Sequence, residues 1–222
     1  MGEFAKARAN MVDGQLRTSD VTDPAVLAAF GEVPRERFVP KNKVPLSYSD
    51  LDVPLNDGAP ARFLLEPAPF AKLLQLASIG PLDVVLDVGT GTGYGAAILA
   101  RIASSVVALE EDDGLAQRAE TILNELGVSN AVVVRGALRE GHVEEGPYDA
   151  IILEGAVDDV PAALLRQLKN GGRLVALVGR GRAARATVFV RSGEEFGRRV
   201  AFDAAAPPLP GFQLTPRFEF TF

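Results

Sequence analysis

From Val84 to Tyr94 the chain reads Val-Val-Leu-Asp-Val-Gly-Thr-Gly-Thr-Gly-Tyr, an apolar run that closes on Asp87 and then sets glycine at positions 89, 91 and 93. Glycines so spaced let backbone approach a ligand where any Cβ would intervene, and the acid before them selects the ligand. Glu110 follows Gly91 by 19 residues and closes the next apolar run. A carboxylate there accepts both hydrogen bonds from a ribose diol. Gly91-Thr92-Gly93-Tyr94-Gly95-Ala96 also fits a loose G-x-G-x-x-A dinucleotide fingerprint, but a diphosphate in that place would meet the charge of Asp87. S-adenosylmethionine carries an ammonium, a sulfonium and a ribose and no phosphate, so the same acid attracts it. The pattern therefore favours the sulfonium donor. Val88, Gly89, Thr90, Gly91, Gly93 and Tyr94 join Asp87 and Glu110 as cofactor-binding candidates, with Glu111 next to them. The rest of that acidic run, Asp112 and Asp113, suits a helix N-terminus.

Other residue types limit the chemistry. The 222 residues include no cysteine and one histidine, His142. Disulfides, thiolate nucleophiles and Cys- or His-based metal clusters are thereby ruled out, and no metal is expected. His142 lies in a polar loop and is read as a surface residue rather than a base. Methyl transfer from a sulfonium suits such a chain, because in-line alignment supplies much of what the displacement requires. A carboxylate acceptor, with a pKa of about 4, is already ionised at neutral pH. An amine or hydroxyl acceptor calls for a positioned base.

The net charge of −6 disfavours a nucleic-acid partner. The local run Gly179-Arg180-Gly181-Arg182-Ala183-Ala184-Arg185 reads as a solvated loop after a strand. With 47% hydrophobic and 23% charged residues the composition is that of a soluble globular protein. No apolar run is long enough for a membrane span and no secretory leader is visible, so a cytoplasmic protein with no membrane partner is expected. Oligomeric state is not readable.

The elements that must position these residues follow from periodicity. Helical spacing covers Glu3 to Leu16, and Asp23-Pro24 forms an N-cap and first-turn proline for a helix through Phe30. Residues 31–67 are proline-rich and aperiodic, which predicts an extended segment covering the ligand. A helix from Pro67 to Ala77 precedes an alternation of strands and helices. Strands are predicted at Val84–Val88, Val106–Leu109, Ala131–Val134, Ala150–Leu153 and Leu174–Val178. Helices are predicted at Tyr94–Ile102, Leu115–Leu126 and Pro161–Leu168. Continuous Val, Ile and Leu strands between amphipathic helices specify an α/β fold: a doubly wound, mostly parallel sheet with helices on both faces. Ala186–Val190 and Arg199–Phe202 form a closing antiparallel hairpin, and the tail from Pro207 to Phe222 is the least legible part. One structural domain is expected, with residues 1–80 as a helical and lid segment packed on a core of residues 81–222.

With these residues placed, the chain resembles the protein-L-isoaspartate O-methyltransferase family, within the Rossmann-like S-adenosylmethionine-dependent methyltransferases. Val33-Pro34-Arg35-Glu36-Arg37-Phe38-Val39-Pro40 is similar to that family's V-P-R-x-x-F-V-P segment. Gly91-Thr92-Gly93-Tyr94, running into Ala97-Ile98-Leu99-Ala100, is similar to its G-x-G-Y and following helix. Tyr148 to Ile152 and Pro161 to Val178 extend the likeness, which covers roughly residues 10–200.

The resemblance implies S-adenosylmethionine as cofactor and methyl transfer to a carboxylate, that of an isoaspartyl residue in damaged protein. It also locates two departures. Where the family has T-I-S-x-P over the donor and the acceptor, this chain has Phe63-Leu64-Leu65-Glu66-Pro67, so Phe63, Leu64 and Leu65 are the candidate lid positions. Where the family has G-D-G facing adenine, it has Gly136-Ala137-Leu138, which supply backbone groups only. Glu154 stands at the end of the fourth strand where the family has a small or hydroxyl residue, and is the candidate for a catalytic or cofactor-binding carboxylate. Arg35 and Arg37 are candidates for pairing with a substrate carboxylate or with surface acids. Another acceptor, including a small carboxylate, or a non-catalytic donor-binding relative remain the alternatives, with an oxidoreductase third.

Overall fold

The computed structural model describes residues 2–214. Helix α1 (Glu3–Met11) continues into a π-helical turn over Val12–Leu16. Helix α2 (Pro24–Glu32) starts as the sequence predicts, with the Asp23 carboxylate accepting from the backbone N–H of Ala25 at 2.8 Å and of Val26 at 3.2 Å. Residues 31–67 are not simply extended: 3-10 turns form at Arg35–Arg37 and Lys41–Leu46, and the two-residue strands β1 (Val53–Pro54) and β2 (Phe63–Leu64) pair as a small hairpin. Helix α3 (Pro67–Ala77) leads to the main sheet.

That sheet holds β3 (Val84–Val88), β4 (Ser105–Glu110), β5 (Ala131–Arg135), β6 (Tyr148–Val157), β7 (Leu168–Val178), β8 (Arg185–Ser192) and β9 (Glu195–Asp203). Their order is β5-β4-β3-β6-β7-β8-β9, parallel from β5 to β7 and antiparallel from β7 to β9. Helices α4 (Tyr94–Leu99), α5 (Asp113–Glu125) and α6 (Ala162–Leu165) make the crossovers. The chain leaves β3 in one direction toward β4 and later returns to its other side with β6, so the carboxyl end of β3 is the switch point where such sheets bind ligands.

Alternation along the strands divides the core into two apolar layers. Val85, Ala108, Ile152 and Val175 face the layer filled by α1 to α5. Leu86, Leu109, Leu153 and Leu174 face the other, with Leu209 and Phe212. The tail is therefore partly structural, and the part at 215–222 lies outside the described residues. Helix α6 spans four residues rather than the predicted eight, because Leu168 already pairs with Tyr148 as the first rung of β7. Near the end of β6 the segment Pro207–Leu209 bridges to Ala156: the Ala156 N–H donates to the Pro207 carbonyl and the Leu209 N–H to the Ala156 carbonyl, both at 2.8 Å. Among the described residues no helix is long and apolar enough to cross a membrane.

Candidate functional site

Three carboxylates converge at the switch point by strand register. Asp87 pairs across to Ala108 of β4 and Ile152 of β6. Glu110 and Glu154 each lie two positions further along those strands, so the two-residue repeat puts them on the same face as Asp87 and on either side of it. All three are buried. The loop that follows β3 holds Gly89 at φ 82°, Gly91 at φ 59° and Gly93 at φ 90°, conformations that L side chains rarely adopt.

Glu110 is fully engaged. One oxygen accepts from the Gly91 N–H at 2.8 Å, and the other from the N–H groups of Glu111 at 3.0 Å and Asp112 at 3.1 Å. The second oxygen also takes a buried ion pair from Arg62, whose other terminal nitrogen donates to the Gly89 carbonyl at 2.8 Å. Asp87 is the opposite case. Neither of its oxygens has a hydrogen-bond donor, and Thr90 Oγ1 and Glu154 Oε1 are also without partners. Burial pushes the Asp87 carboxyl up to about 6. Burial first, and then the charge of Asp87, holds Glu154 well above the ordinary carboxylate range. The two carboxyls titrate as one coupled pair, and burial beside a second carboxyl favours the protonated form of each, most of all at Glu154.

Such a donor set fits a ligand bearing a ribose and an ammonium, but the chain's own side chains fill the space. A Cβ at Gly89 would lie 2.7 Å from Leu209 Cδ1 and 3.2 Å from an Arg62 nitrogen, and one at Gly91 would lie 2.7 Å from Leu55 Cδ1. The gap left among Arg62, Phe63, Leu65, Glu154 and the 207–209 segment is about 10 Å³. Small-molecule sites run to roughly 300–1,000 Å³, so this crevice is closed.

The family model for protein-L-isoaspartate(D-aspartate) O-methyltransferase matches residues 6–202. The chain belongs to this family. It is 42% identical over 176 residues to a Koribacter versatilis protein named protein-L-isoaspartate O-methyltransferase, covering 79% of this chain and 78% of that one. A solved structure of the same name superposes with a TM-score of 0.80 at 26% identity, over 92% of this chain and 66% of that longer chain. A Plasmodium falciparum structure, titled as a putative family enzyme in complex with S-adenosyl-L-homocysteine, superposes with a TM-score of 0.75 at 18% identity, covering 94% of this chain and 99% of that one, and speaks to the fold.

Within this member of the family the other sequence candidates separate. Gly93 packs on Ala119, and the Thr92 hydroxyl donates to the Phe38 carbonyl at 2.5 Å, tying the V-P-R-x-x-F-V-P segment to the glycine loop. Tyr94 packs in an aromatic cluster with Phe30, Phe38 and Phe70. Val88 and Leu138 belong to the second core layer. The Gly136 N–H donates to the Glu110 carbonyl at 3.2 Å, Ala137 is exposed, and Glu111 lies at the crevice mouth beside Pro60 and Pro208. Leu64 and Leu65 face the core, so only Phe63 of the three lid candidates is partly open.

Arg35 is not available to a substrate. It is buried, donating to the carbonyls of Ser47 and Leu65, each at 2.6 Å. Arg37 pairs with Glu125 on the surface. His142 lies 3.4 Å from Glu144 in the loop before β6, and Arg180 pairs with Asp158. Sequence reasoning missed Arg62, an isolated arginine in an aperiodic segment, and Leu209, in the tail. It also missed Gly95, whose Cβ would collide with Glu154 Oε1.

Proposed function

We propose that this protein methylates the carboxylate of isoaspartyl residues in damaged protein, with S-adenosylmethionine held by Asp87, Glu110 and the loop from Gly89 to Gly93. The observation that carries the donor site is Asp87, a buried carboxylate without a partner beside a glycine loop at the switch point. When bound, the donor supplies an electrophilic methyl group on a sulfonium.

The residues of the chain then divide the work. Asp87 holds an ammonium in a site screened from water, where a charge pair counts for more than at the surface. Glu110 accepts two hydroxyl hydrogens while its bonds from Gly91, Glu111 and Asp112 keep it aimed. Glu154, whose ionised form is disfavoured by burial and by Asp87, adds less negative charge to the site than a free carboxylate would. No general base is required, since a carboxylate acceptor is ionised at neutral pH with a pKa of about 4. The acceptor is identified through the family.

The test is incubation with methyl-labelled S-adenosylmethionine and an isoaspartyl peptide, with the normal aspartyl peptide as control. Label released as volatile methanol by mild base from the isoaspartyl peptide alone is the expected result. Base-stable label, or equal labelling of both peptides, would refute the assignment.

A further inference from the structure

Arg62 occupies the carboxylate that the donor's ribose requires. It reaches Glu110 from the β1–β2 hairpin, in which Val53 pairs with Leu64, Pro54 with Phe63, and the Leu55 N–H donates to the Arg62 carbonyl at 2.8 Å. The hairpin's tip, residues 57–61, is exposed. The Arg62 N–H accepts no load from the main sheet, since it donates to Asn56 Oδ1 at 2.9 Å within the same hairpin. So small an element with an exposed tip can shift while the sheet stays intact. The crevice and its mouth carry Glu111, Glu154 and one cation, Arg62, among the described residues. An anionic acceptor entering beside Asp87 and Glu110 needs a counter-charge, and no other lining residue supplies it.

We propose that Arg62 is an exchangeable counter-ion: it holds Glu110 while the crevice is closed, yields it to the ribose of the methyl donor, and then pairs with the carboxylate of the acceptor. The proposal rests on the donor site assigned above. It makes donor binding the event that frees the acceptor's cation. Removing Arg62 leaves Glu110 with three backbone N–H partners, so the variant keeps a satisfied carboxylate and the fold is retained.

Arg62→Gln and Arg62→Lys test this by calorimetry with S-adenosylhomocysteine and by steady-state kinetics with an isoaspartyl peptide. In Arg62→Gln, product affinity rises about tenfold, because the closed state no longer competes. KM for the peptide rises about tenfold or more with kcat little changed, because a charge-assisted contact to the acceptor is lost. Arg62→Lys, which keeps the charge without the fork that spans Glu110 and Gly89, binds the product more tightly and recovers part of the peptide KM; it carries the test alone if Arg62→Gln does not fold. Unchanged or weaker product binding overturns the proposal, and so does tighter product binding with an unaltered peptide KM. If the wild-type protein neither binds S-adenosylhomocysteine nor methylates the peptide, the donor site itself is refuted; if wild type does both and the variants match it, only the role of Arg62 falls.

Discussion

Among the described residues two arginines are buried, and they are held in different ways. Arg35 donates to two backbone carbonyls and lies 4.9 Å from the centre of the Tyr94 ring, with no carboxylate bonded to it. Burial lowers its pKa. Arg62 is held by Glu110, the carboxylate proposed above to take the donor's ribose. A cation fixed by neutral groups is architecture, whereas one fixed by a ligand-binding acid can be released. The difference comes from the partner rather than from burial, since both side chains are equally inaccessible.

The contrast can be broken most forcefully at Asp87. Asp87→Asn removes the anion that attracts the donor while leaving Arg62 on Glu110, and S-adenosylhomocysteine affinity should fall by roughly 30- to 1,000-fold, about 2–4 kcal/mol. The thermal midpoint of the ligand-free protein should hold or rise, since an unpaired buried charge is gone. Calorimetry and a melting curve together check this, and a large fall in stability would mean that Asp87 serves the fold.

Arg35→Met sharpens the other side of the comparison. It keeps the stem and leaves the carbonyls of Ser47 and Leu65 unpaired, at a cost of roughly 2–4 kcal/mol. Urea unfolding should show that loss, with product affinity of the folded protein unchanged. A loss below about 1 kcal/mol would mean that Arg35 is not the architectural member.

pH separates the two regions next. The groups facing Asp87 are Glu154, Glu110, Arg62 and the Thr90 hydroxyl, and its carboxyl titrates at about 6 in the folded protein. A raised carboxylate pKa stabilises the ligand-free fold below the unfolded value of about 4, and that contribution is lost as pH rises through 6. Donor binding needs the anion, so it moves the opposite way and strengthens about tenfold between pH 5 and pH 7. Calorimetry at the two pH values and ligand-free melting curves read both slopes, and a flat binding profile would remove Asp87 from the donor site. The smallest effect belongs to the exposed pair of Arg37 and Glu125: Arg37→Ala should change unfolding free energy by less than about 1 kcal/mol.

Much of this architecture could be read from the chain because its signals are local. The runs at Val84, Ser105 and Ala131 are continuous and apolar, and Asp23-Pro24 names a helix start by itself. Asp87, Glu110 and Glu154 were each visible as an acid at a strand end. Their meeting on one face depends on which strands become neighbours, which the two-residue repeat then converts into geometry. Arg62 and Leu209 gave no local signal, since their role is fixed by what they touch: one lies in an aperiodic stretch and the other in a proline-rich tail. Helix α6 was overestimated because the helical period of its leucines also suits a short turn feeding β7. Arg35 reads in the sequence as a partner for a substrate carboxylate or a surface acid because a guanidinium usually pairs with an anion, and here two backbone carbonyls take that place.

The carboxyl group of Glu154 rests directly over Gly95, in the first turn of α4, where a methyl group could not coexist with it. Positions 95 and 154 are therefore linked: a side chain at the former moves or shortens the latter, and either change redraws the carboxyl that stands opposite Asp87.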